Sequence, residues 1–170
     1  MARGIKALTI SNWLQPDPAS SIFAQLSHAD GSVSSMSGDD WAAQFLGPDL
    51  DDRVPEEVRG LFEVARGALT YGYFFYPLFT LAAEQLYRVA EAAVSAKCEL
   101  LGAPKRLSFQ NKIQFLLDRN VIPGESFPQW DAIRLLRNQA SHPQEQTILT
   151  PGMVATMLDQ IAKRINDLFA

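Results

Sequence analysis

Residues 54–101 read VPEEVRGLFEVARGALTYGYFFYPLFTLAAEQLYRVAEAAVSAKCELL, which is two helical patterns joined by an aromatic turn. Pro55 followed by two glutamates suits a first helical turn, because acids favour the positive end of the helix dipole. Apolar residues then recur at the spacing of one helix face: Val58, Leu61, Phe62, Ala65, Ala68 and Leu69. The run Tyr71-Gly72-Tyr73 predicts the turn out of this helix.

A second, longer helix is predicted from Phe75 or Pro77 to Leu101, where Gly102-Ala103-Pro104 ends it. Its apolar face is predicted to carry Leu78, Leu81, Ala82, Gln85, Val89, Ala92, Ala93 and Ala96. A separate polar stripe along the same helix carries Glu84, Arg88, Glu91 and Ser95. Cys98 lies in this helical pattern, and we interpret it as a small core residue.

Three more helices are predicted downstream. The first runs from its Ser108 cap to Asp118, with Phe109, Ile113, Leu116 and Leu117 facing inward. The next runs from Pro128 to about Ser141, with Trp130, Ile133, Leu136 and Ala140 as its apolar face, and Pro143 stops it. The last begins at Thr150-Pro151, with a stripe of Val154, Met157, Leu158, Ile161, Ile165 and Leu168.

Residues 1–53 are less regular. Asp17-Pro18 predicts the start of a short helix through His28, and Ser37 predicts the cap of another from Gly38 to Leu46. Trp41 and Phe45 lie one turn apart and would hold that helix on the main body. We therefore predict an all-α, up-and-down bundle of about five main helices in residues 54–170, with an irregular, partly helical N-terminal extension in residues 1–53 packed on it.

Composition narrows the class of protein. The net charge of −4 argues against a general nucleic-acid binder. Residues 1–60 carry nine acids and four bases, whereas residues 104–142 carry six bases and three acids, an asymmetry also typical of ordinary solvated surface. A single cysteine excludes an intramolecular disulfide and, with two histidines, makes a structural zinc site unconvincing. No membrane span or signal peptide is predicted, so we expect a cytoplasmic protein. Because the sequence offers no cluster of metal ligands, we also expect no metal, and we expect no cofactor.

The helix predicted from Pro128 to about Ser141 has an unusual polar face. This face and the helix end carry Asp131, Arg134, Arg137, Asn138, Ser141 and His142. Asn138 and His142 are four residues apart, and the helix must end at Pro143, so the histidine can turn toward Arg137. Arginine can grip a phosphate and stabilise a charged transition state, while histidine exchanges a proton near neutral pH. Asparagine can orient either the histidine or a substrate. Together these three side chains would suit metal-independent cleavage of RNA.

A structural interpretation of the same residues stays open. His142 could simply favour the negative end of the helix dipole. Arg137 could pair with Glu84 or Glu91 on the long helix, and Arg88 could pair with the same carboxylates. Because the chain has ten arginines, an arginine a few residues before a histidine is weak evidence by itself.

The segment Arg137-Asn138-Gln139-Ala140-Ser141-His142 resembles the signature of the HEPN family, an arginine followed four to six residues later by a histidine. Upstream, the segments Val54-Pro55-Glu56-Glu57-Val58, Ala83-Glu84-Gln85-Leu86 and Ile133-Arg134-Leu135-Leu136-Arg137-Asn138 are similar to an uncharacterised bacterial HEPN-like group. The resemblance covers residues 54–143 and leaves residues 1–50 outside it.

This resemblance implies a helical bundle, a homodimer with facing motifs and, in active members, RNase action in defence, toxin–antitoxin or RNA-processing systems. It implies catalytic roles for Arg137, Asn138 and His142. Glu84, Glu91 and Arg134 are candidate supporting residues. The implied partners are RNA, a second copy of the chain and a protein such as an antitoxin. The alternative from a different class is a non-catalytic helical dimerisation or interaction module.

Overall fold

A computed structural model describes residues 5–20, 23–26, 33–140 and 150–170 of the chain. Within these residues it contains six α-helices and one two-stranded antiparallel sheet. The strands are β1 (Ala24–Leu26) and β2 (Val33–Ser35). The helices are α1 (Gly38–Leu46), α2 (Glu56–Tyr71), α3 (Leu78–Leu100), α4 (Phe109–Asp118), α5 (Phe127–Ala140) and α6 (Pro151–Phe169).

The predicted all-α class is confirmed, with five main helices after Val54. Helix starts follow the predicted capping chemistry. The hydroxyl of Ser37 accepts a hydrogen bond from the Asp40 amide at 3.1 Å, and that of Ser108 accepts one from the Asn111 amide at 3.2 Å. A side-chain acceptor at this position pairs an amide that the first helical turn leaves unbonded.

The helix predicted from Asp17 to His28 is wrong for the described part of that range. Residues 24–26 form β1, whose Ala24 lies opposite Ser35 and whose Leu26 lies opposite Val33 in β2. His28 lies outside the described residues. The Asp17 carboxylate accepts hydrogen bonds from the amides of Ala19 and Tyr76, both at 2.9 Å. The aspartate therefore stabilises a local turn and the segment that leads into α3, and it does not begin a helix.

Helix α3 is the centre of the bundle, because it contacts α2, α4, α5 and α6. Its predicted apolar face is partly wrong: Leu81 is 57% exposed, and Leu86 and Val94, which were not on that face, are fully buried. A helix packed against several neighbours buries more than one stripe, so no single stripe describes it. Leu61 on α2 and Leu136 on α5 were also predicted inward and are exposed. Trp130 is buried as predicted.

A cluster of rings fills the space where α1 meets the turn between α2 and α3. We call it the aromatic junction, and its members are Trp41, Phe45, Tyr73, Tyr76 and Phe79. The ring centroids of Trp41 and Phe79 are 5.1 Å apart, and the indole nitrogen of Trp41 donates to the carbonyl of Leu69 at 3.1 Å. These contacts join α1 to the bundle. Among the described helices, none has the length and apolar character needed to cross a membrane.

Candidate functional site

An ion pair joins the two helices that carry most of the predicted site residues. The Nε of Arg137 on α5 donates to Oε2 of Glu91 on α3 at 2.8 Å. The side chain of Arg137 is 40% exposed and that of Glu91 is 27% exposed. The pair is therefore at the surface, where it orients the guanidinium without removing it from solvent.

Next to this ion pair lies an open cleft of about 230 Å³ between α3 and α5. Its described lining residues are Glu84, Arg88, Arg137 and Ala140, and we call it the arginine cleft. Two arginines and one glutamate thus line the same space. Positions 84 and 88 are one turn apart on α3, which explains why both reach the cleft.

Neither Glu84 nor Arg88 forms a salt bridge with any other described residue. This is notable because a glutamate four residues before an arginine is the favoured arrangement for pairing along a helix. Tyr87 lies beside Glu84 on α3, and burial, followed by the Glu84 charge, raises the pKa of its phenol. Tyr87 therefore stays protonated at neutral pH and is no candidate base.

The structure does not bring every predicted residue to the cleft. Arg134 donates from Nε to Oδ1 of Asp131, one turn earlier on α5, at 2.7 Å, and its side chain is only 17% exposed. Asn138 is exposed on α5, and neither it nor Arg134 is among the described lining residues. Within the described part of the chain, neither side chain lines the cleft, so the supporting role of Arg134 and the orienting role of Asn138 stay predictions.

His142 lies outside the described residues, as does Ser141. The last described residue of α5 is Ala140, which lines the arginine cleft. The helix therefore leads to the cleft two residues before the histidine in sequence. The contribution of His142 to the site stays a prediction.

Arg88 lines the cleft although it was not predicted as a site residue, and it lies on the polar stripe of α3. Lys112 on α4 was not predicted as a site residue either. Its Nζ donates to the hydroxyl of Ser95 at 2.7 Å, while that hydroxyl donates to the carbonyl of Glu91 at 2.7 Å. These bonds connect α4 to α3 at Glu91, the residue whose carboxylate binds Arg137 of α5. The polar stripe of α3 was evident in the sequence. The residues that bind it lie on α4 and α5, and no spacing along the chain identifies them.

Cys98 is buried on α3, and burial raises the pKa of its thiol, opposed by the nearby charges of Lys112 and Arg119. A buried, protonated thiol is a poor nucleophile. In the described ranges, no group of three or more histidine, cysteine or acidic side chains is arranged to hold a metal ion.

No family model, curated protein or solved structure matches the chain. The HEPN resemblance therefore rests on the sequence segments that carry it. The function proposed below is inferred from those segments together with the geometry of the arginine cleft.

Proposed function

We propose that the chain is a metal-independent endoribonuclease of the HEPN type, with the arginine cleft as its site. The observation that carries this proposal is the position of Arg137. Its guanidinium is oriented by Glu91, its side chain is 40% exposed, and the residue lines an open cleft near the described end of α5, two residues before His142 in sequence. An arginine held in this way is suited to a phosphate, because its planar donors match phosphate oxygens.

The proposed reaction is transfer of the scissile phosphate within RNA. The 2′-oxygen attacks the neighbouring phosphorus, the bond from phosphorus to the 5′-oxygen breaks, and a 2′,3′-cyclic phosphate forms. The proton of the 2′-hydroxyl leaves to a base, and the departing 5′-oxygen receives one. His142 would carry a proton in this exchange, Arg137 would stabilise the charge on the phosphate, and Asn138 would orient its neighbours. DNA would be spared because it lacks the attacking hydroxyl.

The wider setting belongs to the same proposal. The resemblance suggests a bacterial defence or toxin–antitoxin system and an antitoxin-like protein partner. It also suggests a homodimer, in which a two-fold axis would bring two copies of a sparse site together.

The test is cleavage of single-stranded RNA by the purified chain in a chelator, with the products analysed for a cyclic phosphate. We expect Arg137→Ala and His142→Ala each to lower the rate at least about 10²-fold, and Asn138→Ala to lower it less. Arg164→Ala is the matched control, because it removes a cation on α6 outside the cleft. Equal rates for the parent and a folded His142→Ala protein would reject the proposal.

A second candidate is a non-catalytic interaction module. The ion pair between Arg137 and Glu91 favours it, because a paired arginine can simply hold α3 to α5. Two leucines on α5, Leu135 at 53% and Leu136 at 42%, are also exposed. This candidate expects a dimer by light scattering at micromolar concentration, disrupted by Leu135→Ser, together with no action of the parent on RNA. A monomer across that range would count against it.

A further inference from the structure

We infer that the arginine cleft is a cradle for a ribose phosphate, in which Arg88 and Arg137 bind the phosphate and Glu84 accepts a hydrogen bond from the adjacent 2′-hydroxyl. This inference rests on the proposed function and deepens it. It assigns Arg88 as a second phosphate-binding residue and Glu84 as the residue that distinguishes RNA from DNA at the binding step.

The first support is the convergence of two cations. Arg88 from α3 and Arg137 from α5 line one cleft of about 230 Å³, although they are 49 positions apart in the chain. A phosphate placed between the two arginines would be attracted by both guanidiniums, although Glu84 in the cleft and Glu91, the partner of Arg137, offset part of their positive charge. A phosphate with several acceptor oxygens can be held by both guanidiniums at once.

The second support is the difference between the two arginines. Glu91 fixes Arg137 through Nε, so this guanidinium is set before a ligand arrives. Arg88 is exposed and makes no salt bridge with a described residue. The pair thus combines one preoriented cation with one that can move onto the ligand, which limits the ordering cost of binding to a single side chain.

The third support is the carboxylate. Glu84 is half-buried at the cleft and is not neutralised by Arg88, one turn away on the same helix. A carboxylate repels a phosphate, so its presence weakens a site built for phosphate alone. An ionised carboxylate accepts hydrogen bonds but donates none, which suits the hydroxyl next to the phosphate in RNA. The 2′-hydroxyl is the group by which a protein separates RNA from DNA.

The experiment measures binding rather than cleavage. A labelled single-stranded RNA and a DNA of the same sequence are titrated by fluorescence anisotropy at low salt with the full chain carrying His142→Ala, so that the RNA stays intact. Arg88→Ala in this background should weaken RNA binding roughly 10-fold to 100-fold, the scale of lost hydrogen bonds to a charged group. Arg164→Ala, which removes the same charge outside the cleft, should change it less than about 3-fold.

Glu84 is tested by a ratio. Glu84→Ala should bring the affinities for RNA and DNA to within about 2-fold of each other, because the hydroxyl has lost its acceptor. The conservative Glu84→Gln keeps an acceptor oxygen and should retain the preference. If Glu84→Ala instead strengthens the binding of RNA and DNA equally and leaves the ratio of their affinities unchanged, Glu84 acts only through its charge. That result would overturn its role in recognising the 2′-hydroxyl.

The outcomes separate this inference from the proposed function. The cradle is wrong and the ribonuclease stands if the parent cleaves RNA while Arg88→Ala matches Arg164→Ala in two respects: RNA binding in the His142→Ala background, and RNA cleavage when each substitution is made alone in the parent. If the parent neither binds nor cleaves RNA, both are wrong. Binding that depends on Arg88 and on the 2′-hydroxyl, without cleavage, supports the cradle and rejects the catalytic role.

Discussion

The aromatic junction and the arginine cleft both involve α3, but they use its surface in opposite ways. At the junction the rings of Trp41 and Phe79 are almost completely buried, and the one polar atom of Trp41 has a partner in Leu69. At the cleft Arg88 is exposed, and it and Glu84 pair with no other described residue.

This difference predicts that stability and the proposed function depend on different parts of one helix. Burial of large apolar groups is the main favourable term in folding, whereas exposed charges contribute little. Substitutions at the junction should therefore change the free energy of unfolding and act on any activity only through it. Substitutions at the cleft should change ligand binding in a protein that remains folded.

The largest expected effect is at the junction. Trp41→Ala should lower the free energy of unfolding by about 3–5 kcal/mol, because it removes a fully buried ring and leaves a cavity. Urea denaturation measures the change. Trp13→Ala is the matched control: Trp13 is 56% exposed, so its loss should cost less than about 1 kcal/mol. Similar losses for the two variants would mean that the junction does not hold α1 to the bundle.

Next in size is an overpacking test at the same junction. A Cβ added at Gly72 would contact the ring of Phe79 closer than van der Waals distance, and this ring is buried and cannot move away. Gly72→Ala should therefore cost about 1–3 kcal/mol in thermal or urea unfolding. Gly67 lies inside α2 with open space at its Cβ position. Gly67→Ala should instead stabilise by about 0.5–1 kcal/mol, and the same sign for both variants would contradict the packing described here.

The smallest expected effects compare two ion-paired arginines. Arg66 on α2 has a side chain only 9% exposed, and its Nη2 donates to the carbonyl of Leu46 at the end of α1 at 2.7 Å. Arg66→Met should cost about 1–2 kcal/mol, mainly by unpairing that carbonyl. Arg137→Met at the cleft should cost less than about 1 kcal/mol, because its pair with Glu91 is open to solvent. If urea denaturation shows that Arg66→Met and Arg137→Met lower the free energy of unfolding equally, Arg137 stabilises the fold as Arg66 does. That result would favour the interaction module.

The fold could be predicted because its signals are local. Ser37 and Ser108 cap the helices that they were expected to cap, and Thr150 caps the helix predicted to begin there, since capping depends on residues within one turn. The hairpin of β1 and β2 could not be predicted, because each strand has three residues and shows no alternation of useful length. The buried surface of α3 was only partly predicted, since it depends on which helices pack around it.

The candidate site was predicted less completely, for a physical reason. The partner of Arg137 is Glu91, 46 positions earlier, and only the packing of α5 on α3 decides between that carboxylate and Glu84. The sequence could name both carboxylates but could not choose. A salt bridge from Arg88 to Glu84 or Glu91 was one possible role for that side chain. Its place in the cleft depends on the packing of α5 beside α3, which no spacing along the chain specifies.

The N-terminal segment of residues 5–20 has a consequence for the order of folding. Lys6 donates to the carbonyl of Phe74, and Asp17 accepts from the amide of Tyr76, so these contacts close loops of 68 and 59 positions. Helices α2 and α3 are joined by a turn of a few residues and can pair without closing any long loop. Contacts between distant positions cost more chain entropy and form later. The segment should therefore dock after α2 and α3 have paired, and in native-state hydrogen exchange the amides of Asp17 and Tyr76 should open before those of α3.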